Sequence, residues 1–324
     1  MLLGDGYGTD DIVSGKYLEV MKEQAERFFD IEPYRTYRQY FNVYTSIALS
    51  PESGIGTART PVATRFGTTY TGEVGLAANY DEIFRYALGA PTVNADNLSR
   101  TLVILVPNTT EYEGVTQLWT DGSAISLCPP SEDSYPYDAR GVVQHEAGGH
   151  GFGKLADECI RHNTFITACR CQCCQHAAEL NEGKRQGWYD NVSLTARAHD
   201  VPWSQLISDP KYSAVVDVFE GGFGHEHGVF RSEQNSCMNN DIPYYNAISR
   251  MSIVRRIMEY AGEEFSYEDF KARDVLDAST TTRATGTAPT ASPRQQEPVL
   301  HKGSPLAGAR HAHPHSTNHS RTRR

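Results

Sequence analysis

The chain has 324 residues, of which 39% are hydrophobic and 22% are charged, so it can bury a sizeable core in one or two domains. Its 40 acidic and 30 basic residues give a formal net charge of −10, which argues against a nucleic-acid partner. The longest apolar runs, such as residues 102–106, have the length of a core strand, far below the roughly 18 residues of a membrane span. We therefore expect no transmembrane segment.

The first predicted element is an amphipathic helix. Asp10 and Asp11 precede it, as acidic residues often do at a helix start, and it ends near Phe29. Its apolar stripe consists of Ile12, Tyr17, Val20 and Met21.

Three segments that follow are predicted to be strands. Residues 39–48 alternate or run apolar like a strand, and residues 100–107 have the composition of a buried one. Residues 124–127 form a short strand shortly before the most specific motif of the chain. Helices and strands together predict a mixed α/β (α+β) fold.

Residues 144–158 carry this motif, which contains two histidines and several acidic residues. His145 and His150 supply imidazoles, Glu146 follows the first imidazole, and Asp157 comes later. Three such ligands bind one catalytic Zn²⁺ ion and leave a fourth position open for water, whose pKa zinc lowers to about 7. Glu146, turned away from the metal, is suited to be the general base. The alternative is a glycine-rich helix with two core or surface histidines.

The spacing of the two histidines makes a structural prediction. His145 and His150 are five positions apart, and in a regular helix they would point about 140° away from each other. A π-bulge absorbs one residue and restores a common face, and glycine eases such a distortion. We therefore predict a helix with a bulge at Gly148 and Gly149.

The third ligand is open between three residues. Asp157 is favoured, because Gly153 could end the helix and let the chain turn back toward the metal. Glu158 and His162 are the alternatives.

Other metal-binding residue types admit several interpretations. The cluster of Cys169, Cys171, Cys173 and Cys174 could hold a metal, but it lacks the two separated pairs of a structural zinc site. Disulfides to Cys128, Cys159 or Cys237 and reduced thiols are both open. His225 and His227 are interpreted as loop histidines.

The C-terminal part combines a helix with a polar tail. Tyr245 to Tyr260 is predicted to be a helix, and its buried residues are Ile248, Met251, Ile253, Val254 and Ile257. Residues 279–324 are rich in Thr, Ser, Pro, Arg and His and show no period, which predicts disorder.

Several segments together resemble the IgA-peptidase-type metallopeptidases, family sixty-four of the metallopeptidases, within the metzincin group. The main ones are His-Glu-Ala-Gly-Gly-His-Gly-Phe-Gly-Lys-Leu-Ala-Asp-Glu (145–158), Asn-Ser-Cys-Met-Asn (235–239) and Leu-Gly-Asp-Gly-Tyr (3–7). The resemblance spans roughly residues 1 to 275. It departs from the family at Cys159, where an aromatic residue is usual, and in residues 168–175.

The resemblance implies a metzincin-like zincin domain with a twisted mixed sheet, an active-site helix and a Met-turn. It places His145, His150 and Asp157 on the metal and makes Glu146 catalytic. Met238 would form the soft apolar floor of the site. Tyr244 or Tyr245 would stabilise an oxyanion or, as the alternative, be a packed aromatic. Residues 123–127 would border the cleft and pair with an extended substrate.

The implied organisation is an N-terminal catalytic subdomain over 1–158, a C-terminal subdomain over 159–278 and the tail. Family resemblance implies a secreted or envelope-associated protein. Met1 leads into Gly4 without the features of a secretory signal, so we expect the natural start to lie upstream, with a cytoplasmic protein as the alternative.

Two functions are compatible with these features. The first is a zinc endopeptidase acting on a protein or glycoprotein. The second is a non-catalytic protein of the same fold that binds glycoprotein or glycan. The presence of Glu146 favours the enzyme, because a protein without catalysis has no need of a base there.

Overall fold

The computed structural model describes residues 1–71, 75–111, 113–166, 173–276 and 297–306, leaving aside the side chains of residues 162–164 and 173–175. Strands and helices are interspersed along the chain and form a mixed α/β fold, as predicted. Among the described helices, none has the length and apolar character that crossing a membrane requires.

The described strands form three sheets. In chain order they are β1 (Leu2–Asp5), β2 (Thr45–Ser46), β3 (Gly56–Thr57), β4 (Thr69–Tyr70), β5 (Leu76–Ala77), β6 (Leu102–Pro107), β7 (Val115–Trp119), β8 (Ala124–Leu127), β9 (Ile160–Phe165), β10 (Val192–Ser193), β11 (Phe219–Gly222), β12 (Gly224–Arg231) and β13 (Val299–His301).

The largest sheet has the order β13-β7-β8-β6-β1-β2. All of its neighbouring strands are parallel except β7 and β8, which are antiparallel. The predicted strand at 100–107 is confirmed as the buried β6. The predicted role of residues 123–127 is wrong, because β8 is hydrogen-bonded to β7 on one side and β6 on the other. Its backbone therefore has no free edge for a substrate.

Helices lie between and after the strands along the chain. In chain order they are α1 (Thr9–Val13), α2 (Lys16–Phe29), α3 (Tyr80–Ala87), α4 (Ala139–Val142), the π-helix (Val143–Phe152), α5 (Cys173–Arg185), α6 (Ser204–Ser208), α7 (Cys237–Asn240), α8 (Ala247–Ala261) and α9 (Tyr267–Arg273), with short 3-10 turns at Arg38–Tyr40 and Leu98–Arg100.

The N-terminal part differs from the prediction in two places. The helix expected up to Phe29 is divided into α1 and α2, because Gly15 has a φ of 87° that a right-handed helix does not allow. Most of residues 39–48 is not a strand. Instead, Phe41 lies outside the sheet, and its ring packs against those of Phe28, Phe29 and Tyr34.

The second sheet contains β10, β12 and β11 in that order, and β9 pairs with β12 in parallel. His225 and His227 lie on β12, so their prediction as loop residues is wrong. His225 and Arg231 both pair with β11, although the register shifts between Glu220 and Gly222. A third, small sheet has the order β3-β4-β5.

The largest apolar core lies between α2, the π-helix and α8. The predicted C-terminal helix is confirmed as α8, and all five of its predicted core residues are buried. This core contains residues from both sides of position 158. The division into subdomains at that position stays a prediction.

The tail is not disordered throughout. Val299–His301 form β13 and pair with Gln117–Trp119, although disorder was predicted over 279–324. Two contacts account for this order: Leu300 packs against an apolar cluster that includes Leu118, and the ring of His301 stacks on that of Trp119 at 4.7 Å. Residues 279–296 and 307–324 lie outside the described part.

Candidate metal centre

The π-helix brings the two motif histidines together. The Nε2 atoms of His145 and His150 are 3.1 Å apart, and their ring centroids are 4.8 Å apart. In a π-helix the hydrogen bonds join residues five positions apart, which places such residues above one another. The predicted distortion at Gly148 and Gly149 is therefore confirmed, and it extends over ten residues rather than a single turn.

Close packing explains the two glycines inside this helix. A β-carbon at position 148 would collide with the hydroxyl of Tyr245, and one at position 149 would collide with the sulfur of Met238. Glycine at both positions lets Met238 on α7 and Tyr245, two positions before α8, approach the backbone of the π-helix. The two glycines therefore allow both the π-helical backbone and the close packing of its neighbours.

Asp157 reaches the histidines after the chain turns back. Its Oδ1 lies 3.2 Å from Nε2 of His145 and 3.6 Å from Nε2 of His150, and all three side chains are buried. The alternative Glu158 is engaged elsewhere, because Asn191 and Asn246 donate to its carboxylate at 2.8 Å. The side chain of the other alternative, at position 162, is outside the described part.

The outer nitrogens of both imidazoles are already hydrogen-bonded. Nδ1 of His145 lies 2.9 Å from the carbonyl oxygen of Cys237 and 2.9 Å from a carboxylate oxygen of Asp241. Nδ1 of His150 lies 2.8 Å from the carbonyl oxygen of Leu155. Histidine ligands of metals are commonly held in this way, with the other ring nitrogen donating to a carbonyl or carboxylate.

This arrangement directs lone pairs at one small buried space. When each Nδ1 carries the proton, both Nε2 atoms present a lone pair. Oδ1 of Asp157 faces the same space and is buried without a hydrogen-bond partner among the described residues. The three ligand atoms lie within 4.8 Å of one another, and imidazole nitrogen and carboxylate oxygen are ligand types that bind divalent transition metals. The group of His145, His150 and Asp157 could therefore hold a metal ion.

The electrostatics of the group also favour a cation. Burial opposes the charged form of Asp157, but Arg161 and the two histidines outweigh it and keep the pKa of Asp157 well below its usual value. Burial alone would lower the pKa of His145, but Asp241 and Asp157 outweigh this effect and raise the pKa well above its usual value. Two carboxylates thus supply negative charge at a buried position.

Glu146 lies on the π-helix next to the first histidine, with its carboxylate held from the sheet. The hydroxyl of Thr116 on β7 donates to Oε2 of Glu146 at 2.9 Å. Burial raises the pKa of Glu146 above its usual value, although the two histidines partly oppose this shift. A buried, oriented carboxyl with a raised pKa is suited to accept a proton and release it again.

The remaining predicted residues lie below the histidines. Met238 is buried on α7 and contacts the backbone at Gly149. Tyr245 is buried, and its hydroxyl donates to the carbonyl of Gln144, as the packed-aromatic alternative describes. Tyr244 is buried as well and donates to a carboxylate oxygen of Glu233 at 2.5 Å. In this geometry neither hydroxyl is presented to a substrate.

The cysteines take no part in the described group. Among the described side chains, Cys128, Cys159 and Cys237 are buried free thiols. The cluster Cys169–Cys174 falls on residues outside the described part or on side chains that are not described.

Comparison with known proteins adds the decisive observation. A family model of IgA peptidase M64 matches residues 1–209, which is more than half of the chain. The chain belongs to this family. No curated protein matches the chain. Membership of the IgA peptidase M64 family makes the chain a peptidase, and a peptidase acts on proteins. Met238 and Tyr245 lie beyond the matched residues.

Three residues near the group were not predicted from the sequence of this M64 family member. Asp241 lies three positions after Met238, and its acidic character was the only available signal. Thr116 is placed by the register of β7, and Arg161 by the turn of β9 toward Asp157. Neither position stands out in the sequence.

Proposed function

We propose that this protein is a zinc-dependent endopeptidase that hydrolyses protein or glycoprotein substrates. His145, His150 and Asp157 would bind one catalytic Zn²⁺ ion, and Glu146 would be the general base. The convergence of three buried acceptor atoms beside the carboxylate of Glu146 carries this proposal. Zinc is the metal whose preferred ligands, imidazole and carboxylate, correspond to this set.

The bound ion would supply a water of lowered pKa and polarise the scissile carbonyl. The protein's own contribution is the proton transfer. Thr116 fixes Oε2 of Glu146, which leaves Oε1 to take the proton of the attacking water and pass it to the leaving amine. The raised pKa of Glu146 supports this role, because the base must also release the proton again.

Met238 would support the ligands from below. Its thioether lies against the helix backbone at Gly149, and the carbonyl of the preceding Cys237 is hydrogen-bonded to His145. We therefore propose that α7 acts as the Met-turn of a metzincin-like fold. A secreted or envelope location is proposed from the family resemblance alone.

The proposal is tested by zinc analysis and casein cleavage with purified protein and two variants. Glu146→Gln should retain one zinc ion and lose activity by about 10²- to 10⁴-fold, the usual contribution of a general base. His145→Ala should lose both zinc and cleavage. Glu19→Gln on the exposed face of α2 serves as a matched control and should resemble the unmodified protein.

Two results would refute the assignment. Undiminished cleavage by Glu146→Gln would exclude Glu146 as the base. Binding of zinc by His145→Ala as tight as in the unmodified protein would exclude the histidine pair as the metal site.

A further inference from the structure

The described part of the tail lies along a strand edge beside the candidate site. β13 pairs with residues 117–119 of β7. The same strand, one position before its midpoint, carries Thr116, whose hydroxyl is hydrogen-bonded to Glu146. The tail segment 297–306 therefore covers the edge of the strand that contacts the proposed general base.

Glu297, at the start of this segment, binds a pair of basic side chains. Its Oε1 lies 3.0 Å from Nη1 of Arg161, and its Oε2 lies 3.4 Å from Nε2 of His176. Nη2 of Arg161 in turn lies 3.4 Å from Oδ2 of Asp157. A single arginine thus separates the carboxylate of the tail from the proposed metal ligand.

We propose that Arg161 and His176 form a subsite for an acidic side chain of an extended protein substrate, and that Glu297 occupies this subsite within the same chain. This inference rests on the proposed peptidase function and names its substrate class. Substrates carry Asp or Glu at one fixed distance from the scissile bond. The tail segment 297–306 competes with them for the edge of β7.

The backbone geometry supports the comparison with a substrate. An extended peptide binds a strand edge through main-chain hydrogen bonds, which are independent of its side chains, and pockets beside the edge give selectivity. β13 uses the edge of β7 in this way over three residues, and Glu297 supplies the side chain for the pocket. Arg161 is suited to such a pocket, because its planar guanidinium binds carboxylates with defined geometry.

The contacts of the segment are those of an exchangeable ligand. Val299 at the start of the pairing is 42% exposed. His301 accepts or donates one side-chain hydrogen bond with Gln117 at 2.8 Å and stacks on Trp119. The strand is only three residues long, and its main-chain pairing with β7 is open to any extended peptide, so a peptide with an acidic residue can replace it.

Peptide binding tests the subsite without requiring catalysis. A fluorescent peptide with the sequence of residues 297–306 and a second one with Gln in place of Glu297 are titrated into zinc-loaded full chain. The Glu297→Gln protein should bind the acidic peptide roughly tenfold more tightly than the Gln peptide, the factor expected for one charge-assisted contact. The unmodified protein should bind the acidic peptide more weakly, because its own Glu297 competes.

Cleavage provides the second measurement. Casein fragments produced by the Glu297→Gln protein should show Asp or Glu enriched at one position relative to the cleaved bond. The KM of this variant for casein should be several-fold lower than that of the unmodified protein, at unchanged zinc content. Glu19→Gln is the control for the loss of one charge. Equal binding of both peptides would overturn the subsite. Tighter binding of the acidic peptide without any cleavage would support the subsite and refute the peptidase function.

Discussion

The Nε2 atoms of His145 and His150 lie 3.1 Å apart although five positions separate the two residues. A regular α-helix would turn the second imidazole about 140° away from the first. π-Helical hydrogen bonding removes this offset, and the glycines between the histidines leave room for the packing beneath. The candidate site thus depends on the helix backbone as much as on its side chains.

The first prediction concerns the contact between the π-helix and α7. In Gly149→Ala the added methyl group collides with the thioether of Met238, so the helix or α7 must shift. We expect a loss of about 1–3 kcal/mol in the free energy of unfolding, typical of overpacking, together with reduced zinc content. Gly8→Ala is the control, because the nearest atoms there are 3.8 Å from the new carbon. Equal zinc content and melting temperature in both variants would contradict the prediction.

Asp241 should tune the affinity of the proposed zinc site through His145. Its carboxylate lies 2.9 Å from Nδ1 of His145, and its φ of 58° is one that Asn also adopts. Asp241→Asn should therefore fold normally but bind zinc about 10- to 100-fold more weakly, the usual effect of losing such a partner. Chelator competition measures the affinity. The exposed Asp10→Asn provides the matched control, and an unaltered zinc affinity in Asp241→Asn would exclude the role.

Because of Lys154, we expect the free energy of unfolding to change with pH on the alkaline side. Burial lowers the pKa of Lys154 well below its usual value of 10.5, and its Nζ donates to the carbonyl of Gly151 at 2.8 Å. Between the lowered pKa and 10.5 the unfolded chain binds a proton that the folded chain lacks. The free energy of unfolding therefore increases as pH rises through this range, and the increase is complete above 10.5.

Removing this titration should change the slope in a defined direction. Lys154→Met should be at least as stable as the unmodified protein at about pH 7 and should lose this advantage toward about pH 10. Urea unfolding at both pH values gives the difference. Lys22→Met, at a side chain that is 76% exposed, should keep the original slope. A slope that is identical for Lys154→Met and the unmodified protein would show that Lys154 does not titrate in this range.

A buried ion pair should contribute more to stability than an exposed one. Arg250 donates to both carboxylate oxygens of Asp274 at 2.7 and 2.9 Å, and both side chains are almost completely buried. Asp274→Asn leaves the guanidinium without its counter-charge and should lower the free energy of unfolding by about 3–5 kcal/mol. Asp30→Asn breaks an exposed pair with Arg35 and should cost less than about 1 kcal/mol. Similar unfolding midpoints for the two variants would rule out this difference.

Local sequence patterns correctly predicted the elements whose own apolar residues determine which face is buried. The apolar runs of β6 and α8 determine which face is buried, and both elements were found where they were expected. The errors concern positions where distant contacts decide. Phe41 lies in a strand-like segment but packs into an aromatic cluster. β13 is ordered by pairing with β7, and 184 positions separate its His301 from Gln117.

The candidate site shows the same division. His145, Glu146, His150 and Asp157 come from one continuous segment, so their spacing carried the prediction. The residues that hold them come from elsewhere: Thr116 from β7 and Asp241 from the end of α7. A hydroxyl and a carboxylate at those positions have no local pattern, because only the folded register brings them to the helix.

The buried thiols provide a direct measure of how the site opens. Cys237 precedes Met238 and bonds to His145 through its carbonyl, and Cys159 follows Asp157 by two positions. Burial raises the pKa of both thiols well above the usual value, so neither reacts readily in the folded protein. The rate at which a thiol reagent labels them therefore reports how often this region exposes its interior. Cys128, which is buried next to Ala147 of the π-helix, gives the corresponding rate for the side of the site that faces the large sheet.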